Sequence, residues 1–129
     1  MMKVYLSGGM RSGWQDNLVF NDEFKHIKFI DPRDNRPAAK TPDAYTLYDM
    51  TGVSLSNVVF AYLEKDNPSG FGLALEIGYG KASGAHIILV DEKNDRYTQI
   101  LRSHADAVFE TLDEAMEFLL LFSCLPWES

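Results

Sequence analysis

Residues 57–90, NVVFAYLEKDNPSGFGLALEIGYGKASGAHIILV, decide the fold. Two nearly continuous apolar runs, Asn57 to Leu63 and Ala85 to Val90, flank a loop and a glycine-rich helical segment. Apolar runs without alternation suit parallel strands buried on both faces, joined by a crossover helix. Within Asn67 to Gly84, Leu73 and Ile77 stand four apart, as do Ala74, Gly78 and Ala82, and as do Gly72, Glu76, Gly80 and Gly84. The last two rows are stripes of small residues on adjoining helix faces. Each glycine costs a helix about 1 kcal/mol against alanine, so close approach to a sheet or a ligand is the expected compensation. Glu76 is the one carboxylate in that helix. It is either a surface residue or a carboxylate held in a cleft for chemistry, because burial without a partner would be expensive.

Upstream, Lys3 to Ser7 (KVYLS) is a short β-prone run that stops at Gly8-Gly9, the usual opening of an α/β domain. Trp14 to Phe24 is weakly helical, with Trp14, Leu18, Val19 and Phe24 on one face, and His26 to Ile30 reads as a second strand ended by Asp31-Pro32. Pro32 to Thr41, PRDNRPAAKT, reads as a long polar loop of the kind that contacts a ligand. Its Arg33, Asp34 and Arg36 either meet a base or phosphate or are solvated. Thr41 caps a helix that starts at Pro42 and runs to about Ser56, with Ala44, Leu47, Tyr48, Thr51 and Leu55 along one side. Glu64 to Ser69 is the loop into the glycine-rich helix.

Downstream, Arg96 to Ser103 reads as a short helix and Ala107 to Phe109 as a short strand. Thr111 to Phe122 is the clearest helix, opened by a Thr111/Glu114 capping box and lined by Leu112, Ala115, Met116, Leu119 and Phe122. Residues 125–129 have no assignment. Strands and helices alternate throughout. The fold class predicted is α/β: a doubly wound five-stranded parallel sheet, flavodoxin-like or Rossmann-like, in a three-layer sandwich. Ligands of such sheets bind beyond the C-terminal strand ends, where strand order reverses. That places the loops Ser7 to Gly13, Asp31 to Thr41, Glu64 to Gly72 and Asp91 to Asp95 at the site, with Glu76 facing the glycine loop after strand one.

With 129 residues the chain is expected to be one domain, 1–129, large enough to bury a core. Its 46% hydrophobic and 24% charged content is ordinary for a soluble globular protein. A net charge of -7 argues against a nucleic acid polymer or an anionic membrane as partner, while allowing a small anion gripped by local cations. The single cysteine, Cys124, excludes an internal disulfide and reads as a buried apolar residue. The N-terminal apolar run is too short for a signal peptide and no stretch reaches membrane-span length, so a cytoplasmic location is expected. His26, His86 and His104 are scattered without metal-ligand spacing, and no metal or other cofactor is expected. His86, inside an apolar strand, reads as a satisfied core residue, Trp14 as packing, and Asp91-Glu92 as a solvated turn.

Four pieces point at one cleft: Tyr5 near the end of strand one, the loop Gly8 to Gly13, Asp49 on the helix before strand three, and Glu76 on the helix after it. Tyr5-Leu6-Ser7-Gly8, Asp49 eight residues before Asn57-Val58-Val59, and Gly72 to Gly78 around Glu76 resemble the nucleoside 2-deoxyribosyltransferase family, which includes the 2'-deoxynucleoside 5'-phosphate N-hydrolases. The resemblance runs in order and spacing from about Val4 to Val90. It implies a retaining attack at C1' of a nucleoside, with Glu76 as nucleophile, Asp49 assisting proton transfer at the base and Tyr5 orienting the nucleophile. The chemistry is consistent: an oxocarbenium-like state is stabilised by an anion beneath C1', and a second carboxyl group serves the leaving group.

The resemblance also implies that Gly8, Gly9, Arg11 and Ser12 bind a 5'-phosphate, since glycine turns expose N–H groups and arginine adds a bidentate cation. Ser69, Gly70 and Gly72 join the substrate-binding set, together with Thr98, which falls roughly where the hydrolases bring a serine from a neighbouring subunit. The chain departs from the family at Gly70, six residues before Glu76, where members carry Asp or Ser, and at Asn57, where an aspartate commonly opens strand three. The activity expected is cleavage of a (deoxy)nucleoside 5'-monophosphate with water as acceptor. The alternatives are base exchange between free deoxynucleosides and a nucleotide-sensing module of the same fold. A small-molecule nucleoside or nucleotide is the expected partner, in a homo-oligomer, a dimer or larger. A phosphoacceptor receiver domain is disfavoured by Tyr62-Leu63-Glu64 at the end of strand three, and a dinucleotide fold by the lack of G-x-G-x-x-G after strand one.

Overall fold

The apolar runs form the strands their pattern predicts. The computed structural model describes residues 1–127, and residues 128 and 129 of the unassigned tail lie outside it. In chain order the elements are β1 (Lys3–Gly8), α1 (Asp16–Val19), β2 (Lys28–Ile30), α2 (Pro42–Leu55), β3 (Val58–Leu63), α3 (Phe71–Ala82), β4 (His86–Asp91), α4 (Gln99–His104), β5 (Ala107–Phe109) and α5 (Leu112–Ser123). Short 3-10 turns at Asp22–Phe24 and Pro32–Asn35 flank β2. The strands form a five-stranded sheet, all pairs parallel, in the order β2-β1-β3-β4-β5. Strand order reverses between β1 and β3, which opens a crevice beyond their C-terminal ends.

Two cores cover the two faces. Val4, Leu6, Val58, Phe60, Ile88 and Val90 pack against Trp14, Leu18, Ala115 and Leu119 of the α1/α5 side. Tyr5, Val59, Ala61, Ile87 and Leu89 pack against Val53, Leu73 and Ile77 of the α2/α3 side, with Leu101 of α4 at the margin. β3 is buried along its whole length, as a central parallel strand must be. Asn57 explains its own departure: Lys3 N donates to its Oδ1 at 2.8 Å and its N–H donates to Lys3 O at 2.8 Å, so it pins the start of β3 to β1.

Several expectations are corrected. Residues 14–24 are not one helix: they form the four-residue α1 and a 3-10 turn, and Val19 is exposed. The polar loop from Pro32 carries a 3-10 turn capped by Asp31. The side of α2 bearing Leu47, Tyr48 and Leu55 faces outward, while Asp49, Gly52 and Val53 are buried. Cys124 is exposed at the end of α5, and the His86 ring is exposed near Asp106. Asp91 is fully buried, ion-paired to Arg102 at 2.7 Å, and Glu92 accepts from the Tyr62 hydroxyl. Among the described residues no helix is long and apolar enough to cross a membrane.

Candidate active site

One strand and two helices on the same face of the sheet build the site. Strand alternation sends Tyr5 and Ser7 together to the α3 side of β1, and both are fully buried. Facing them, α3 buries Leu73, Glu76, Ile77 and Gly80. Gly80 lets the helix sit low: a Cβ there would come within 2.7 Å of Val59 Cγ2. One turn earlier, Glu76 is thereby brought onto the end of β1. The Tyr5 hydroxyl donates to Glu76 Oε2 at 2.5 Å and Ser7 Oγ donates to Oε1 at 2.6 Å. Each carboxylate oxygen therefore holds one hydroxyl donor. At 8% exposure Glu76 is not the surface residue that the sequence left open.

Burial pushes the Glu76 carboxyl above its ordinary range, and nearby Asp49 adds to the rise, while the Ser7 and Tyr5 hydrogen bonds and Arg36 only partly offset it. The Tyr5 phenol is raised too, first by burial and then by the Glu76 charge, so it remains a donor at physiological pH.

Asp49 reaches the same crevice from α2. Gly52, one turn on, makes room for the Tyr5 ring, since a Cβ there would lie 3.1 Å from Tyr5 Cε2 and 3.0 Å from Ile30 Cγ2. Asp49 Oδ1 accepts from Arg36 Nη1 at 3.0 Å, and Oδ2 accepts from Nη2 at 2.8 Å. The guanidinium lies 4.2 Å above the Tyr45 ring, a cation–π contact that fixes its plane. Arg36, Asp49 and Glu76 line one cavity of about 190 Å³, with Gly8, Met10 and Gly72 in its rim. A Cβ on Gly72 would meet nothing within 4 Å, so this glycine leaves the wall open.

Gly9, Arg11 and Ser12 line an adjoining cavity of about 470 Å³ that shares Met10 with the first. Its far wall is Glu64, Asp66 and Asn67, and Ser12 Oγ donates to Glu64 Oε1 at 3.1 Å. Trp14 Nε1 and Gln15 Nε2 both donate to Gly9 O, at 2.8 and 3.1 Å, which holds the glycine loop down. Gly8, at φ 151, could take no side chain, because its Cβ would lie 2.6 Å from Tyr62 O.

Ser69, Gly70 and Thr98 are not brought to Glu76. They line a third cavity with Phe71, Tyr97 and Ile100. Thr98 is buried and its hydroxyl donates to Asp95 O at 3.1 Å, within its own turn. Gly70 has φ 76, and a Cβ would lie 3.1 Å from Leu63 Cδ1. Its departure from the family pattern is thus matched by a backbone that disfavours a side chain. Among the described residues no cluster of three or more His, Cys, Asp or Glu could hold a metal.

Sequence reasoning missed Ser7 as a member of this constellation, and it left Arg36 open between a base or phosphate contact and solvation. Ser7 was legible in principle, two residues from Tyr5 on the same strand face. The pairing of Arg36 with Asp49 gave no local signal, since it depends on how the turn after β2 meets α2.

The chain matches no protein-family model and no curated protein by sequence. Solved structures do match. A 2-deoxyribosyltransferase from Leishmania mexicana superposes with a TM-score of 0.72 at 16% identity, over 94% of this chain and 98% of that one. This chain has the fold of a 2-deoxyribosyltransferase. One from the psychrotolerant bacterium Bacillus psychrosaccharolyticus gives 0.66 at 18% identity, over 87% and 88% of the two chains. A CMP N-glycosidase from Clostridium botulinum gives 0.65 at 20% identity, over 92% and 98%. The likeness first read from Tyr5, Asp49 and Glu76 therefore extends to the course of nearly the whole chain.

Proposed function

We propose that this chain is an enzyme that cleaves the N-glycosidic bond of a (deoxy)nucleoside 5'-monophosphate by a retaining mechanism, with Glu76 as nucleophile and water as acceptor. The observation that carries the reading is a buried carboxylate held by two hydroxyls from one strand, in the wall of a small cavity that also holds Asp49. The structural neighbours, two 2-deoxyribosyltransferases and a CMP N-glycosidase, support this bond as the target.

In the first step a Glu76 oxygen attacks C1', the C1'–N bond breaks, and its electron pair leaves with the base, which takes a proton from water on the Asp49 side of the cavity. In the second step water attacks C1', the Glu76–C1' bond breaks, the carboxylate is restored, and the water proton is released. Tyr5 and Ser7 position the nucleophile: their hydrogen bonds aim its oxygens and hold it ionised against the effect of burial. Gly9, Arg11 and Ser12 line the adjoining cavity, where a 5'-phosphate would lie.

One observation favours a second reading, base exchange on a free nucleoside. Glu64 and Asp66 stand in the cavity of Arg11, and Glu64 takes the Ser12 hydroxyl. Two carboxylates against one arginine suit a 5'-hydroxyl better than a phosphate dianion. For the assembly, the reading includes a homodimer. Phe71, Leu75 and Tyr79 form an exposed apolar row on α3, with Leu47 of α2 and Ile100 of α4 also exposed, and Leu75 lines the first cavity as well.

The test is product analysis on deoxy and ribo nucleosides and their 5'-monophosphates, with and without a second free base. Free base from monophosphates, abolished in Glu76→Ala and weakened in Arg11→Ala, is the expected result. Exchange on free nucleosides, indifferent to Arg11, selects the second reading. Binding of nucleotide without turnover on any substrate would leave a sensing module.

A further inference from the structure

We infer that Arg36 is the residue that contacts the departing base, donating two parallel hydrogen bonds to an edge that presents adjacent acceptors and taking up the charge that develops there. The inference rests on the glycosidic reading above.

A guanidinium carries five N–H groups. Arg36 engages Asp49 end-on, with one N–H from each Nη. That geometry leaves Nε–H and a neighbouring Nη–H side by side on another edge, a second bidentate donor. Among the hydrogen bonds of the described residues, neither has a partner. The edge does not wander, because Asp49 holds the guanidinium at one end and Tyr45 lies under its face at 4.2 Å. Arg36 lines the same cavity as Glu76. With a sugar carbon against Glu76, the base must lie in what remains of that cavity.

The same pairing bears on the leaving group. Both Asp49 oxygens already accept from Arg36, and Asp49 is only 7% exposed. A carboxylate so engaged offers little direct contact to the base, whereas the cation beside it faces the cavity. When the C1'–N bond breaks, the electron pair passes into the base ring and onto its acceptors. A donor pair bearing positive charge stabilises that anion until it takes a proton from water.

The bases that fit are those with a carbonyl oxygen next to an unprotonated ring nitrogen: cytosine through O2 and N3, and guanine or hypoxanthine through O6 and N7. Adenine sets an amino donor beside each of its ring acceptors on the corresponding edges. Uracil and thymine set N3–H between their two carbonyls. Both patterns leave one Arg36 donor unmatched.

The experiment measures kcat/KM for wild type, Arg36→Lys and Arg36→Gln across cytosine, guanine, hypoxanthine, adenine, uracil and thymine substrates sharing one sugar form. Arg36→Lys keeps a cation for Asp49 and so guards against simple misfolding. Thermal melts accompany each variant. Wild type should prefer the acceptor-pair bases by about 10–100-fold, and both variants should level that preference. Among cytosine substrates, a 5-fluoro group, which makes the base a better leaving group, should reduce the loss caused by Arg36→Gln. Equal loss on every base, with no dependence on the leaving group, would reduce Arg36 to a support for Asp49 and overturn the inference. An unchanged base preference in both variants would overturn it as well. If wild type turns over none of the substrates, the glycosidic reading fails. Calorimetric binding of the free bases to wild type and Arg36→Lys then decides separately whether Arg36 reads the base: a preference for cytosine and guanine that the lysine variant loses upholds base reading, and its absence rejects it.

Discussion

Tyr5→Phe removes one hydroxyl from a buried carboxylate and changes little else, because the ring stays the same size in a fully buried slot beside Gly52. The lost bond is a 2.5 Å contact to Glu76 Oε2. A hydrogen bond to a charged group is worth about 1.5–3 kcal/mol, and one to a neutral acid less, about 0.5–1.5 kcal/mol. The difference falls on the ionised form, so the variant should raise the Glu76 pKa by about one unit further, at 1.36 kcal/mol per unit. Burial already holds that pKa above the usual range, with Ser7 and Tyr5 pulling it down. The acid limb of the pH–rate profile, which reports ionised Glu76, should move up by about one unit in Tyr5→Phe. Stability gives a readout that needs no substrate. The variant should lose more stability at pH values above the Glu76 pKa than below it, because only the ionised carboxylate misses the full bond. Thermal melts across pH 4–8 beside the rate profile check both outcomes. A melting loss of equal size at acidic and neutral pH, with an unmoved acid limb, would refute the claim that Tyr5 acts through the Glu76 charge.

Three further expectations follow from the same geometry. The raised Glu76 pKa means that the native state holds a proton which the unfolded chain has lost between the ordinary glutamate value of about 4.3 and the native one; stability falls as pH rises through that window and stays lower above it. Glu76→Gln should therefore abolish turnover while gaining melting temperature over wild type as pH rises, and a gain confined to acidic pH would contradict this. Gly52→Ala gains about 1 kcal/mol of helix propensity but overpacks the Tyr5 ring and Ile30 by about 1–3 kcal/mol, so stability should fall by about 0–2 kcal/mol while kcat falls about tenfold from a shifted Tyr5, as kinetics and melts together would show. Leu75→Glu, set in the exposed apolar row of α3, should turn a dimer into a monomer in light scattering, and a wild type already monomeric at micromolar concentration would remove the dimer from the reading.

What could be read from the residues alone was what local pattern encodes. The apolar runs Asn57 to Leu63 and Ala85 to Val90, split by a glycine-rich helix, specify buried parallel strands and a crossover, because burial on both faces demands unbroken apolarity. The same pattern placed Tyr5, Asp49 and Glu76 at one end of the sheet, because in an open parallel sheet that end is where the loops and helix starts converge. Which face of α2 meets the sheet could not be read from the residues, for a physical reason. The apolar residues Leu47, Tyr48 and Leu55 point outward, whereas the inner side is Asp49 and Gly52, one lining a polar cavity and the other yielding room to a tyrosine. Periodicity locates apolar residues; it does not say whether they meet the sheet or are left exposed on the outer surface. Long-range partners were likewise set only by packing. Ser7 meets Glu76 across 69 positions because Gly80 lets α3 settle against β3, and Arg36 meets Asp49 because a 3-10 turn after β2 bends back onto α2. Such contacts depend on distances between segments remote in the chain, and those distances exist only once the layers have packed.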